Sequence, residues 1–182
     1  MGTWFVYDPN TRQSGNGAFA VNMKMTEASA TDGLSNTVAF AEIKAYTPYF
    51  RDGGNPAGPG MPIPNDPATV VGYGGSFKAD SGHTEWVDAR THQTGFTAVF
   101  PPNTKVRYSS GGVNYDVDFN SSREGKTTTG ITYAAVTSRS YHPGIVQTAL
   151  LDGSVRTVPN TVNMLVWRAM ASRNGGEVVE LP

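Results

Sequence analysis

Glycine and proline interrupt this chain too often for long helices to form. Its 182 residues include 21 glycines and 12 prolines, spread through most of the length. Glycine readily adopts positive φ, and proline fixes φ while removing a backbone donor, so both break helices and favour turns. The pattern predicts many short strands joined by irregular loops. The expected class is α+β, mainly antiparallel β, with a short C-terminal helix. The length suits a single globular domain over 1–182 that buries its own core without staples.

The tail is the most legible part. Ile145 to Leu151 reads as a strand, and Ser154 to Val158 as its returning partner. Asp152-Gly153 between them predicts a two-residue type I′ turn, because both residue types tolerate the positive φ it needs. Val162, Leu165, Val166, Ala169 and Met170 then recur at helical spacing, predicting an amphipathic helix over 161–173 capped by Asn160 or Thr161. Upstream, residues 105–118 alternate as a hairpin turning at Ser109 to Gly112. Val38 to Tyr46 predicts a largely buried strand, and residues 83–87 and 95–100 a strand, turn and strand. Residues 1–30 read as an edge strand with loops, and 51–68 as an exposed Pro/Gly-rich loop of functional or mobile character.

The charge balance removes whole classes of partner. With a formal net charge of -1 and no clustered Lys and Arg, nothing supports nucleic-acid binding or a polybasic membrane contact. No run reaches the roughly 18 apolar residues of a spanning helix, and Met1-Gly2-Thr3-Trp4-Phe5 reads as an entry in mid-fold rather than a signal segment. The absence of cysteine excludes disulfides, thiolate zinc sites and cysteine nucleophiles.

Candidate chemistry gathers at four places. His83, Glu85, Asp88 and His92 put four metal-ligand types within ten residues, and on a strand His83 and Glu85 would share a face. Their spacing also fits polar residues on a solvent face. Asp32 and Asn36, and separately Asp116 and Asp118, could offer oxygens to calcium, although neither stretch supplies the six to eight ligands it takes. A turn or helix cap is the plainer role for Asp32. Ser138 and Ser140 lie near His142 without a nucleophile elbow, and Gly72 to Lys78 lacks the ending of a phosphate loop. No cofactor is therefore expected apart from candidate calcium. The aromatics read first as core and second as a groove for sugar or peptide.

His142, nine intervening residues, and then Asp152-Gly153 give the chain a recognisable tail. Thr31-Asp32-Gly33-Leu34-Ser35-Asn36-Thr37, Phe40-Ala41-Glu42, Trp86-Val87-Asp88 and Tyr115-Asp116-Val117-Asp118-Phe119-Asn120 accompany it, as do Tyr133 to Ser140 and Gly175 to Val179. Together these resemble the prepilin-type processing-associated family with a His-X9-Asp-Gly C-terminal domain, over about residue 30 to the end. The resemblance implies a pilin-like globular domain, whose full-length parent carries an apolar N-terminal helix and meets other pilin-like subunits. It implies a place at the cell surface, in the periplasm or outside the cell, and a structural rather than enzymatic task. The alternatives are a secreted carbohydrate- or peptide-binding module and, more remotely, a metal-dependent hydrolase centred on His83, Glu85, Asp88 and His92. The residues themselves suggest that Asp152-Gly153 turns the hairpin while His142 tethers the incoming loop and so pins register.

Overall fold

The computed structural model describes residues 2–177. Short strands dominate it. A six-stranded sheet contains β1 (Phe5–Asp8), β2 (Gln13–Ser14), β4 (Tyr49–Arg51), β5 (Ser76–Lys78), β8 (Asp118–Asn120) and β9 (Thr132–Ala135), in the order β2-β1-β9-β8-β4-β5. Of its pairings only β4 with β8 is parallel. A three-stranded sheet places β10 (Ile145–Leu150) between β11 (Val155–Pro159) and β3 (Val38–Ala41), and β6 (Arg107–Ser110) pairs with β7 (Val113–Asp116) as a hairpin. The helices are α1 (Pro67–Gly72), α2 (Thr91–Thr94) and α3 (Met164–Ala171). The α+β, mainly antiparallel β expectation holds, and none of these helices is long and apolar enough to cross a membrane.

Two large apolar cores result, beside a small cluster of Val6, Ala134 and Val136. Trp4, Phe50, Phe119 and Tyr133 anchor one beneath the six-stranded sheet, where α1 adds Val70. In the other, Trp167 and Met170 of α3 pack on Val38, Val146 and Leu150 of the three-stranded sheet. Burying a side chain of this size stabilises by about 1.5–3 kcal/mol. Residues 96–100 feed both cores, with Phe96 and Ala98 in the second and Val99 and Phe100 in the first.

Several local expectations are revised. The predicted C-terminal helix exists but is shorter. Asn163, not Asn160 or Thr161, caps it by accepting from Leu165 N at 2.8 Å. Leu165 is exposed, while Val162 enters the core before the helix begins. Around Asp152-Gly153 only Gly153 has positive φ (84°), so the loop is three residues, Leu151 to Gly153, with the glycine in the left-handed position that follows a type I turn. The two-residue turn with two positive φ values occurs instead at Gly111-Gly112. Phe40 is largely exposed, and the strand predicted to run to Tyr46 leaves its ladder after Ala41. The loop over 51–68 is tied down: Tyr133 Oη donates to Gly58 O at 2.9 Å and accepts from Met61 N, and Arg168 donates to Pro64 O at 2.7 Å.

Candidate functional site

Strand β8 carries polar side chains, Asp118 and Asn120, into a fully buried position. Burying a charge is costly unless it is paired and hydrogen-bonded, and the surrounding chain supplies those partners. Arg139, itself buried, donates through Nη1 to Asp118 Oδ1 and through Nε and Nη2 to the two oxygens of Asp116, at 3.1 Å each. Thr137 N adds a fourth donor to the set, at 3.1 Å from Asp118 Oδ1. Burial alone would raise the Asp118 carboxyl; Arg139 and then His83 outweigh it and hold the group below the usual carboxylate range. Arg139 is likewise opposed by its own burial, yet the two aspartates raise it.

The predicted strand, turn and strand over 83–100 is absent, for a side-chain reason. Gln93 Oε1 accepts from Thr84 N and Glu85 N, while His83 N donates to His92 O and His83 Nδ1 meets Gln93 O at 2.9 Å. A loop closed on itself in this way has no free ladder to offer a sheet. His83 therefore does not share a strand face with Glu85. His83 is buried with φ at 56°, and Glu85 is exposed. His83 Nε2 stands 3.3 Å from Asp118 Oδ2, within ion-pair distance, although the angle misses a hydrogen bond and leaves both atoms short of a partner. His92 lies under Tyr49, ring centres 4.7 Å apart, with Nδ1 at 3.3 Å from Asn120 Nδ2. Burial pushes His92 down to about 4, against the pull of Asp88. Asp88 instead binds Arg90, accepting from its backbone N and its Nη1. Thus His83, Glu85, Asp88 and His92 do not converge, and among the described residues no group of three or more His, Asp or Glu side chains is arranged to hold a metal ion.

The calcium candidates are engaged as well. Both Asp32 oxygens accept backbone N–H groups, from Gly175 at 2.7 Å and Gly176 at 2.9 Å, and Asn36 Nδ2 donates to Asp32 O. The Asp32 side chain thus anchors the distant segment after α3, rather than capping a turn or helix of its own. Val178 and Val179 of the neighbouring motif lie outside the described residues. Asp116 and Asp118 serve Arg139, as above.

The His142 and Asp152 side chains stand at opposite ends of β10. His142 Nε2 is 3.2 Å from Glu42 Oε1, at the end of β3, and Glu42 Oε2 accepts from Gln147 N at 2.7 Å. Asp152 Oδ1 accepts from the Ser154 hydroxyl at 2.6 Å and from Ser154 N at 2.9 Å, and these two, the hydroxyl first, lower its pKa. His142 thus sits at ion-pair distance from Glu42, the acid of the Phe40-Ala41-Glu42 motif, a contact that offers a candidate for the expected tether. The sequence gives no role to Arg139, Gln93 or Glu124. The signal for Arg139 was a lone cation in an otherwise apolar and hydroxyl-rich run, Tyr133 to Ser140.

Three grooves share Phe19 as a wall. The largest of the three, about 740 Å³, is lined by Phe19 to Asn22, Val87 to Arg90 and Glu124. A second, about 340 Å³, runs along β3 past Phe40 and Phe96. Phe19 and Phe40 touch at 5.4 Å between ring centres, and both are exposed, as are Met23, Trp86 and Val87. Apolar exposure is thus found at these grooves, and separately at Tyr46, Val113, Tyr141, Val155 and Leu165.

The model of a family described as a protein of unknown function (DUF1559) matches residues 1–165. No curated protein and no solved structure matches the chain.

Proposed function

The chain belongs to the DUF1559 family of proteins of unknown function, and from that premise we propose that it is the structural, non-enzymatic globular part of a pilin- or pseudopilin-like protein of the bacterial surface or secretion apparatus. The observation that carries this reading is the fate of the reactive side chains. Asp118, Arg139, His83 and His92 are all buried and face one another, backbone or the buried Asn120 rather than solvent. A catalytic base needs reach to a substrate proton, and these lack it. What faces solvent is apolar surface around Phe19, Phe40 and Val87, which suits contact with protein. In the parent, an apolar helix would lead into Thr3, whose N donates to Asn16 Oδ1, three residues before Phe19.

Mass spectrometry of the N-terminus of the protein from its native cells tests the proposal. A mature chain extending upstream through a methylated Phe and an apolar helix is the expected result. A native chain starting at Met1 refutes the membrane-anchored reading. A second reading, a secreted peptide- or carbohydrate-binding module, is favoured by the groove between Phe19 and Val87. It predicts ligand-dependent protection against heat.

A further inference from the structure

Glu124 is a buried carboxylate with no cation to balance it. It is 8% exposed. Its Oε1 accepts from Thr91 N at 3.0 Å and from the Thr91 hydroxyl, while the nearest donor to Oε2 is Asn120 Nδ2 at 3.5 Å. No Lys, Arg or His among the described residues pairs with it. The neighbouring guanidinium is already committed, since Arg90 Nη1 binds Asp88 Oδ2 at 2.7 Å and Arg90 Nε binds the Glu124 backbone oxygen at 2.9 Å. The 740 Å³ groove is therefore lined by two carboxylates, Asp88 and Glu124, against one guanidinium, Arg90, a net charge of -1.

The rest of the groove is apolar except for Asn22. Phe19, Val21 and Val87 form its walls, and Val87 is fully exposed. A buried charge is normally met by a counter-charge, and pockets of roughly 300–1,000 Å³ commonly pair apolar walls with a few oriented polar groups. Lysine and arginine side chains combine the matching features, an apolar stem and a cationic head.

We propose that this groove binds a partner polypeptide by taking a basic side chain flanked by apolar residues, its stem between Phe19 and Val87 and its cation beside Glu124. The site is independent of the filament reading and gives the domain a recognition function beyond a structural one. Glu124 sets the charge preference, and the apolar walls set the preference for hydrophobic neighbours. Because Asp88 is held by Arg90, it shapes the rim without competing for the ligand cation.

The test is an NMR titration of the whole chain with acetyl-Leu-Lys-Leu-amide, compared with the same peptide carrying norleucine in place of lysine. The lysine peptide should shift the Val87 to Thr91 and Glu124 amides saturably and bind at least about tenfold more tightly than the norleucine peptide. Glu124→Gln, which keeps the acceptor for Thr91, should reduce that preference to within about threefold. Val87→Arg, at a fully exposed position that cannot disturb the core, should fill the groove with its own cation and abolish binding. Equal binding of the two peptides, a preference that survives Glu124→Gln, or no shift of these amides in the unmodified protein would each overturn the proposal.

Discussion

Lowering the pH should destabilise this fold through His92 before most carboxylates take part. The imidazole is 2% exposed and stacked on Tyr49, and burial pushes its pKa down to about 4, helped by Arg123, Arg90 and Arg51. An unfolded histidine titrates near 6.5, so between these values the unfolded chain binds the proton more readily. The neutral ring's contribution is thus fully present above about pH 6.5 and is lost as pH falls toward 4. Linkage puts the loss at about 1.4 kcal/mol by pH 5.5 and about 2.6 kcal/mol by pH 4.5. Asp52, Asp88 and Asp118 are held below the ordinary carboxylate range and so act lower on the scale. Urea unfolding followed by tryptophan fluorescence at pH 7, 5.5 and 4.5 measures the slope. His92→Phe keeps a ring against Tyr49 and removes the acceptor facing Asn120, at a pH-independent cost of about 1–2 kcal/mol. The variant should lose most of the wild-type slope. The reasoning fails if both proteins lose stability equally between pH 7 and 4.5, or if the imidazole resonances of His92 titrate near 6.5.

Asp118→Asn should cost about 3 kcal/mol in the same urea assay, because it leaves the buried Arg139 guanidinium with Asp116 alone; a loss under about 1 kcal/mol would show that Asp116 suffices. His142→Ala should cost about 0.5 kcal/mol, since its pair with Glu42 is half-exposed. At this chain length that is a melting-temperature drop of about 1–2 °C at low salt, and an unchanged melting temperature there would remove the tether.

The features legible in the sequence are those set by local pattern. The tail hairpin, the alternation over 105–118 and the apolar face of the last helix all follow from side-chain period and turn residues, and all three are present. What pattern could not supply was the partner of each polar group. Thr84, Glu85 and Trp86 carry the residue types of a strand, but two of the backbone N–H groups there are taken by one glutamine, Gln93, eight or nine residues away. Asp116 and Asp118 read as loop ligands because acidic residues are rarely buried. Arg139 reverses that expectation, and it lies 21 residues from Asp118. The helix start was ambiguous for a simpler reason: Asn160, Thr161 and Asn163 are all competent caps, and only the descent of Val162 into the core selects the last.

The His-X9-Asp-Gly spacing gains a physical meaning from the same sheet. Strand β10 is central, so it must match β3 on one side and β11 on the other. Its burial alternates strictly: Val146, Thr148 and Leu150 face the core, and Ile145, Gln147 and Ala149 face outward. A one-residue slip would exchange the two sets and bury Gln147 in place of Thr148. Both ends of the strand oppose such a slip. At the entry, Glu42 holds His142 with one carboxylate oxygen and Gln147 N with the other. At the exit, Leu151 N donates to Thr37 O and Asp152 N to Leu34 O, while Asp152 closes the loop on Ser154. The two fixed points are ten positions apart because six strand residues and their short flanks lie between them. A histidine and an aspartate at that distance cannot share a proton or a metal, but they can measure a strand.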